Sequence, residues 1–409
     1  MKTIFVGLFF VPFTALAHSS LKKDPRFQAV IAELSQLKAI QAPIQIQDSE
    51  LEVGISFLNS DQQERLLQLN HSQGKCGGFE LLAENKSLNL NTLESELTLL
   101  RQRRQFDLKY SQIQIRAFNL EKKEEIQKAI EQVSAENLEK TVRWLSQFPN
   151  RNNRGSTPNA HVEAFKNKIE ELMSKSTLPW KLDLISHRST QQKSTRLRIE
   201  GKTRPNEIIV LGGHYDSINQ SWSGDRNRAP GADDNASGSA NLFETLRLLS
   251  QGPQPERSIE FFWYAGEESG LLGSSEIASD YKAQKKDVIA VLQLDMTAYP
   301  GEGELVIGNV TDNTSPWLHD FFNEANRLYL GARIVNDRCG YACSDHASWY
   351  RQGYATLLPF EAVTQTMNPK IHTPNDTVEN GLNFKHAKAF SQLALIFAME
   401  LANTNARQP

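Results

Sequence analysis

A histidine and an aspartate two residues apart begin the part of this sequence that is suited to metal chemistry. His214 and Asp216 follow the apolar run Ile208–Leu211, which has the composition of a buried strand. Side chains two apart on a strand share a face, so we expect both to point the same way. A polar loop then leads to Asp233 and to a helical apolar pattern from Gly238. Imidazole and carboxylate together suit a divalent metal such as zinc; a strand-end histidine and a helix-capping aspartate are the alternative.

Two more acidic segments follow strands further along the chain. An apolar strand predicted over 258–264 runs into Glu267 and Glu268, and another over 288–294 ends in Asp295. Ligands of open α/β sheets bind beyond the carboxyl ends of the strands. We therefore expect these carboxylates at the same sheet edge as the first group.

The segments that carry these residues alternate between helix and strand. Helices are predicted near 134–145, 236–249, 316–328, 345–352 and 390–397, and strands also near 181–185, 194–200, 207–211, 305–307 and 355–359. This order predicts an α/β fold with a mixed, mostly parallel central sheet flanked by helices.

The first quarter of the chain has a different character. Residues 18–118 are rich in Gln, Leu, Lys and Glu, with helical runs such as 27–37 and 90–100. None of these residues belongs to a set whose types and spacing would bind a metal or form a catalytic nucleophile. Cys76 has no cysteine nearby in the sequence, and the charged stretch 121–127 is typical of a linker.

Length, charge and the N-terminus limit the function classes. The chain has 409 residues, 39% of them hydrophobic, and its net charge of −3 argues against a polyanionic partner; it contains no nucleic-acid motif. Residues 1–17 have a basic start, an apolar run and the small-residue site Ala15-Leu16-Ala17. They predict a secretory signal peptide cut after Ala17, with export to an oxidising compartment. No apolar run approaches the roughly 20 residues of a spanning helix, so we expect no membrane anchor.

Five motifs occur in a fixed order: GGHYDS, PGADDNASG, YAGEESGLLGS, LQLDM and IHTPND. With the string CGYACSDHASW they resemble the M28 family of zinc metallopeptidases, and most of all its secreted bacterial leucine aminopeptidases of the Vibrio type. The resemblance runs from about Ser134 to the C-terminus. It implies a zinc-peptidase fold, shared with phosphorylases and other hydrolases, over a catalytic domain at 119–409. The segment 18–118 then becomes a pro-segment that is removed after export.

The resemblance also implies a ligand set for two zinc ions per catalytic domain. Asp233 is expected to bridge the two ions; His214 and Asp295 complete one ligand set, and Glu268 and His372 complete the other. Each ion then has three protein ligands and an open position for water, as catalytic zinc sites do.

Two acidic residues receive catalytic roles from the same resemblance. Glu267 is expected to act as the general base on metal-bound water, and Asp216 to orient His214 through its other ring nitrogen. The family also places a cis peptide after the bridging residue, here between Asp233 and Asp234.

The substrate side follows from the remaining motifs. Tyr341 is expected to help hold the substrate carbonyl oxygen, on a loop closed by a Cys339–Cys343 disulfide. An apolar pocket for the first side chain is lined by Met296, Leu358, Phe360 and Ile371. Thr364 and Met367 replace aromatics of the closest relatives, so the pocket is expected to be wider or more adaptable. The implied activity is removal of N-terminal, preferably large apolar, Leu-like residues from peptides with a free N-terminus, by a monomer.

Other functions fit the sequence less well. A glutaminyl-cyclase-like zinc acyltransferase of the same fold binds one zinc, and the residue after its bridging aspartate is typically not acidic, so Asp233-Asp234 favours two metals. A metal-free binding module, as in transferrin-receptor ectodomains, requires missing ligands, and none is missing. The histidines outside the motifs are expected to be core or surface imidazoles: His161, His187, His319, His346 and His386. Asp345 and Asp376 are interpreted as cap or turn residues.

Overall fold

A computed structural model describes residues 27–73, 75, 78–82, 90–112, 120, 123–219 and 227–408. The predicted signal peptide, its cleavage site and Cys76 lie outside these residues. Within them, a search for helices with the length and hydropathy of a membrane span finds none.

The N-terminal domain, residues 27–112, is built on a small antiparallel sheet. Its elements are β1 (Gln28–Glu33), α1 (Leu34–Ala39), β2 (Ile44–Asp48), β3 (Val53–Leu58), α2 (Ser60–Ser72), β4 (Phe79–Leu81) and α3 (Leu90–Gln112), with the strands in the order β2-β3-β1-β4. The prediction of a helix over 27–37 is wrong for its first half. Residues 28–33 form one of the two inner strands instead, because their apolar side chains are buried while their backbone pairs with β3 and β4.

The segment that the resemblance identifies as the catalytic domain begins with three helices and three strands, after which helices and strands mostly alternate. Its elements are α4 (Glu124–Glu131), α5 (Ala135–Leu145), α6 (Ala160–Met173), β5 (Trp180–Ile185), β6 (Ser194–Ile199), β7 (Arg204–His214), α7 (Ala236–Leu249), β8 (Arg257–Tyr264), α8 (Leu272–Ala283), β9 (Asp287–Gln293), β10 (Val306–Val310), α9 (Pro316–Ala325), β11 (Arg333–Asp337), α10 (His346–Arg351), β12 (Thr356–Phe360) and α11 (Phe384–Asn403). A linker predicted over 121–127 is thus partly helix α4, since Ile126 and Ile130, four residues apart, are both buried in the main core.

The eight strands of this domain form one sheet in the order β11-β10-β12-β9-β7-β8-β6-β5. Pairs β10/β11, β12/β9, β7/β8 and β7/β9 are parallel, and the other three are antiparallel. The predicted α/β architecture with a mixed, mostly parallel sheet is confirmed. Strands β9, β7 and β8 are neighbours and run in the same direction, so their carboxyl ends meet at one edge.

Candidate metal centre

The carboxyl ends of three adjacent strands position most of the candidate residues. His214 is the last residue of β7, a 3₁₀ turn over Glu267–Ser269 follows β8, and Asp295 lies two residues beyond β9. Gly266, with φ of 62°, lets the chain turn sharply from β8 into the turn, a conformation that favours glycine. The loop before α7 and the loop around His372 complete the site.

Four predicted ligands are brought together in two groups around one shared carboxylate. His214 Nε2 lies 3.2 Å from Asp234 Oδ1 and 3.3 Å from Asp295 Oδ1. His372 Nε2 lies 2.9 Å from Asp234 Oδ2 and 3.1 Å from Glu268 Oε2. Within each group, the three ligand atoms all lie within 4.8 Å of one another. Each oxygen of Asp234 therefore faces a different group.

The prediction that Asp233 lies between the two groups is wrong. Its Oδ1 accepts a hydrogen bond from the amide of Ala298 at 3.1 Å, and its Oδ2 accepts one from Asn368 Nδ2 at 3.0 Å. Burial raises the pKa of Asp233 and also that of Glu361, which bonds to it. The side chain thus points away from the histidines, because successive side chains of this loop leave the backbone in different directions.

The cis peptide is likewise one residue further on than predicted, between Asp234 and Asn235. Asn235 Oδ1 accepts a hydrogen bond from the Gly238 amide at 2.9 Å, so Asn235 is the residue that caps α7. An asparagine directly before the helical pattern is a typical N-cap, and this signal indicates that Asn235 precedes α7 and that Asp234 is the aspartate next to the cap.

Asp376 was interpreted as a turn residue, but it holds the loop that carries Asp234. Its Oδ1 accepts from the Asp233 amide at 3.0 Å and its Oδ2 from the Asp234 amide at 3.1 Å. Its place at the end of the motif IHTPND was the one sequence signal for this contact.

Asp216 contacts both His214 and the glutamate turn. Its Oδ1 lies 3.3 Å from His214 Nδ1 and accepts from the Glu267 amide at 3.1 Å, while its Oδ2 accepts from the Glu268 amide at 3.3 Å. This geometry fixes the imidazole so that Nε2 faces Asp234 and Asp295.

Glu267 is fully buried but belongs to neither ligand group. Its Oε2 lies 3.9 Å from His214 Nε2, and among the described residues neither of its carboxylate oxygens has a hydrogen-bond partner. Burial raises the pKa of Glu267 and, to about 7, that of Glu268.

The donor set fits a metal. Buried polar atoms normally have hydrogen-bond partners, yet in the described part of the chain both oxygens of Glu268 and Oδ1 of Asp295 have none. These atoms converge with imidazole nitrogens, and mixed nitrogen and oxygen ligands suit zinc. A cation is what such a concentration of buried carboxylates requires.

An apolar pocket lies beside this centre. Met296, Leu358, Phe360 and Ile371 form one buried cluster with Val310, against which Cys339, Cys343 and Met367 pack. All of these residues except Ile371 line the pocket, together with Asp295, Tyr341, Ser344 and Thr364. Ile371, predicted as a lining residue, lies in the cluster but does not line the pocket. The predicted pocket residues thus lie together, and Asp295 joins the pocket to the first ligand group. The Cys339–Cys343 disulfide is present.

The histidines outside the motifs belong to neither ligand group found among the described residues. His161 faces Tyr215 and Gln192, His346 contacts the Asp312 carbonyl, and burial lowers the pKa of His346 to about 4. They are core imidazoles of the kind expected.

Comparison with known proteins places this geometry in a family. The sequence model of Peptidase family M28 matches residues 195–398. A "Probable leucine aminopeptidase" of Trichophyton verrucosum is 35% identical over 289 residues, which cover 69% of this chain and 78% of that protein. The relatives found by sequence include fungal enzymes, and a bacterial Vibrio-type assignment stays a prediction.

Two solved structures are informative. The LapA aminopeptidase of Legionella pneumophila superposes with a TM-score of 0.77 at 26% identity, covering 92% of this chain and 99% of its own. That coverage exceeds residues 119–409, so at least part of the N-terminal domain has a counterpart in the LapA chain. The glutaminyl cyclase of Porphyromonas gingivalis, with a TM-score of 0.53 at 16% identity over 66% of this chain and 99% of its own, shares the fold alone.

The ligand groups, the α/β sheet and these similarities agree. The chain belongs to peptidase family M28 and is a zinc-dependent aminopeptidase.

Proposed function

We propose that this protein is an exported enzyme with two zinc ions that removes large apolar residues from the N-termini of peptides. The observation that carries the proposal is the position of Asp234, whose two oxygens face two separate groups of ligands. In this arrangement His214, Asp234 and Asp295 would hold one ion, and Asp234, Glu268 and His372 the other.

When bound by these ligand groups, zinc would polarise the scissile carbonyl and lower the pKa of a bound water. The proton chemistry is left to Glu267, whose carboxylate is buried beside the ligands without being one of them. It would accept a proton at Oε1 or Oε2 from the attacking water and return it to the leaving amine. Burial raises the pKa of this carboxyl group, which makes it a stronger proton acceptor than an exposed glutamate.

Asp216 would act by orientation. Its carboxylate faces His214 Nδ1 and accepts from the amides of Glu267 and Glu268. It therefore fixes one ligand and the turn with the base relative to each other, a role typical of groups behind metal ligands.

The apolar pocket supports a preference for Leu-like first residues. Met296, Leu358 and Phe360 line it, and each apolar group that a substrate buries there is favourable, by about 0.8 kcal/mol per methylene. Tyr341, at the rim of the same pocket, is our candidate for holding the substrate carbonyl oxygen. A charged side chain is disfavoured because its burial is costly without a partner.

Export and a monomeric state are further parts of the proposal. The signal-peptide pattern of residues 1–17 and the Cys339–Cys343 disulfide support export, since disulfides persist in oxidising compartments.

One of the two sequence arguments against a glutaminyl-cyclase-like enzyme no longer holds, and the alternative must be tested by experiment. The shared carboxylate is Asp234 and not Asp233, so the residue that follows it is Asn235, which is not acidic. The residue after the shared aspartate therefore does not distinguish a two-metal site from the one-metal site of a cyclase. Complete ligand groups on both sides of Asp234 do favour two.

Metal analysis of the purified protein, combined with assays on aminoacyl anilides and on N-terminal glutaminyl peptides, tests the proposal. We expect two equivalents of zinc, anilide hydrolysis and no cyclisation. One equivalent of zinc with glutaminyl cyclisation would reject it.

A further inference from the structure

The N-terminal domain touches the turn that carries the two glutamates. The amide of Leu81 in β4 donates to the carbonyl of Gly270, directly after the turn Glu267–Ser269, at 3.3 Å. The ring of Phe79 packs on the same glycine so closely that an added Cβ would lie 2.5 Å from Phe79 Cε2. Ser275 Oγ of α8 donates to the Leu81 carbonyl at 2.6 Å. Strand β4 therefore contacts both the residue directly after the turn and the start of α8.

The interface around β4 is buried and charged. Arg351, at the end of α10, makes two hydrogen bonds to Glu80 at 2.6 and 2.8 Å, and the two side chains are only 3% and 2% exposed. Its neighbour Tyr350 donates to Asp107 Oδ2 at 2.5 Å. Bidentate pairs of this kind fix relative orientation as well as contributing energy.

The apolar core of the N-terminal domain also continues into the catalytic domain. Leu272, the first residue of α8, is buried within the cluster that contains Val30, Phe79 and Leu81. Loss of the domain would expose this face of α8 to water, next to the glutamate turn.

The N-terminal domain also contacts the loop that borders the apolar pocket. Lys75 Nζ lies 5.0 Å from the ring centroid of Tyr341 and pairs with Glu33 at 3.2 Å. A cleft of about 520 Å³ separates the domain from the Cys339–Cys343 loop, with Glu33, Glu80, Tyr341 and Tyr350 in its lining. The N-terminal domain thus flanks both the glutamate turn and the loop that borders the apolar pocket.

We infer that the N-terminal domain is a retained part of the working enzyme and that β4 positions the turn bearing Glu267 and Glu268. This departs from the expectation that residues 18–118 are removed after export. Only the consequence for turnover rests on the proposed function; retention of the domain does not.

Retention of the N-terminal domain is tested by determining which residues are present in the active protein. The enzyme is purified from the culture medium by its activity and analysed by intact mass and size-exclusion chromatography. We expect residues 28–112 to stay with it, as one chain or as a co-eluting fragment. Full activity in a species that lacks these residues would overturn the inference. If the protein hydrolyses no aminoacyl anilide, the proposed function fails, whereas purification by an affinity tag still decides retention.

The positioning role is tested with two substitutions in the full chain. Phe79→Ala removes the ring against Gly270, and Leu93→Ala removes an equally buried side chain of α3 that belongs to a separate cluster. Both should lower the melting temperature. At a temperature where both are folded, only Phe79→Ala should reduce kcat, by about tenfold, with KM little changed, because small displacements of reacting groups are costly.

Two further measurements separate positioning from general destabilisation. Phe79→Ala should release zinc to a chelator faster than Leu93→Ala, and Phe79→Leu should restore part of kcat. If Phe79→Ala does not fold, Ser275→Ala, which removes the bond to the Leu81 carbonyl, takes its place with the same expectation. Equal kcat and equal zinc release in the Phe79 or Ser275 variant and the Leu93 control would reject the positioning role.

Discussion

Glu267 and Glu268 are neighbours with different surroundings. Glu268 Oε2 lies 3.1 Å from His372 Nε2 and belongs to a ligand group, whereas Glu267 belongs to none. The 3₁₀ turn directs the two carboxylates to different sides, and Asp216 fixes both amides. The same residue type can therefore supply a ligand at one position and a base at the next.

Replacement of Glu267 by Gln should separate these roles. The variant should keep its zinc content, while turnover falls by roughly 10²- to 10⁴-fold, as is usual for a lost acid–base group. Zinc analysis and kcat on a leucine anilide are the measurements. Glu268→Gln is the matched control and should lose zinc; a Glu267→Gln protein that has lost zinc would show that the two roles are exchanged.

The adjacent aspartates offer a second matched pair. Asp234→Asn should empty or disorder both metal groups, because each of its oxygens serves one of them. Asp233→Asn should retain two equivalents of zinc, since its hydrogen bonds go to Ala298 and Asn368. His372→Ala should weaken one site only. Retention of both ions in Asp234→Asn would contradict the shared-carboxylate arrangement.

The sequence could predict the composition of this site but not every position in it. The resemblance to the family predicts His214, Asp295, Glu268 and His372 as ligands, and the structure brings these four together. It misassigned the shared carboxylate by one residue, because two adjacent aspartates are chemically identical and only the three-dimensional path of the loop distinguishes them. The supporting role of Asp376 is not predicted, because its partners are backbone amides and its place in the motif IHTPND does not reveal which amides it binds.

At the scale of elements, long apolar runs were reliable and short ones were not. Strands β8 and β9 are buried over nearly their whole length and lie within one residue of their predicted ends. Strand β7 begins three residues before its predicted range of 207–211 and ends three residues after it. Strand β1 was mistaken for helix, since a short apolar run such as its AVIA fits either structure and its partners are distant in sequence. Helix α4 was mistaken for a linker because only two of its residues face the core.

The Cys339–Cys343 loop should influence activity more than stability. A bridge that closes so short a loop contributes only about 2 kcal/mol in the chain-entropy estimate, but it fixes the segment that carries Tyr341 beside the pocket. Graded reduction should therefore lower kcat/KM before it unfolds the protein. Parallel anilide assays and circular dichroism check this, and full activity after complete reduction would count against it.

The apolar pocket should set substrate preference. Leucine and methionine anilides should be cleaved at least about tenfold better than alanine anilide, given about 0.8 kcal/mol for each buried methylene, and far better than Asp or Glu anilides. N-acetylated substrates should not be cleaved. A series of kcat/KM values tests this; similar rates on Leu, Lys and Glu anilides would refute the pocket assignment. Met367 lines the pocket, so Met367→Ala should reduce the ratio of kcat/KM for leucine anilide to kcat/KM for alanine anilide.

At the scale of the whole molecule, the site joins segments that are far apart in the chain. Its residues come from the ends of β7 and β9, the turn after β8, the loop before α7 and the loop around His372. The N-terminal domain contacts the end of the glutamate turn through β4. A bound cation would therefore cross-link most of the catalytic domain, and the fold and the site should be energetically coupled.

Removal of the metal should consequently destabilise the protein. Ions that bind only the folded state add free energy of unfolding by mass action, about 4 kcal/mol at a thousandfold excess over Kd, which corresponds to several degrees of melting temperature. Without them, the buried carboxylates of Asp234, Glu267, Glu268 and Asp295 also repel one another. We expect chelation to lower the melting temperature and added zinc to restore it, in wild type and in Glu267→Gln alike. A melting temperature unchanged after zinc has been shown to leave would mean that the metal ligands are held in place by the fold alone.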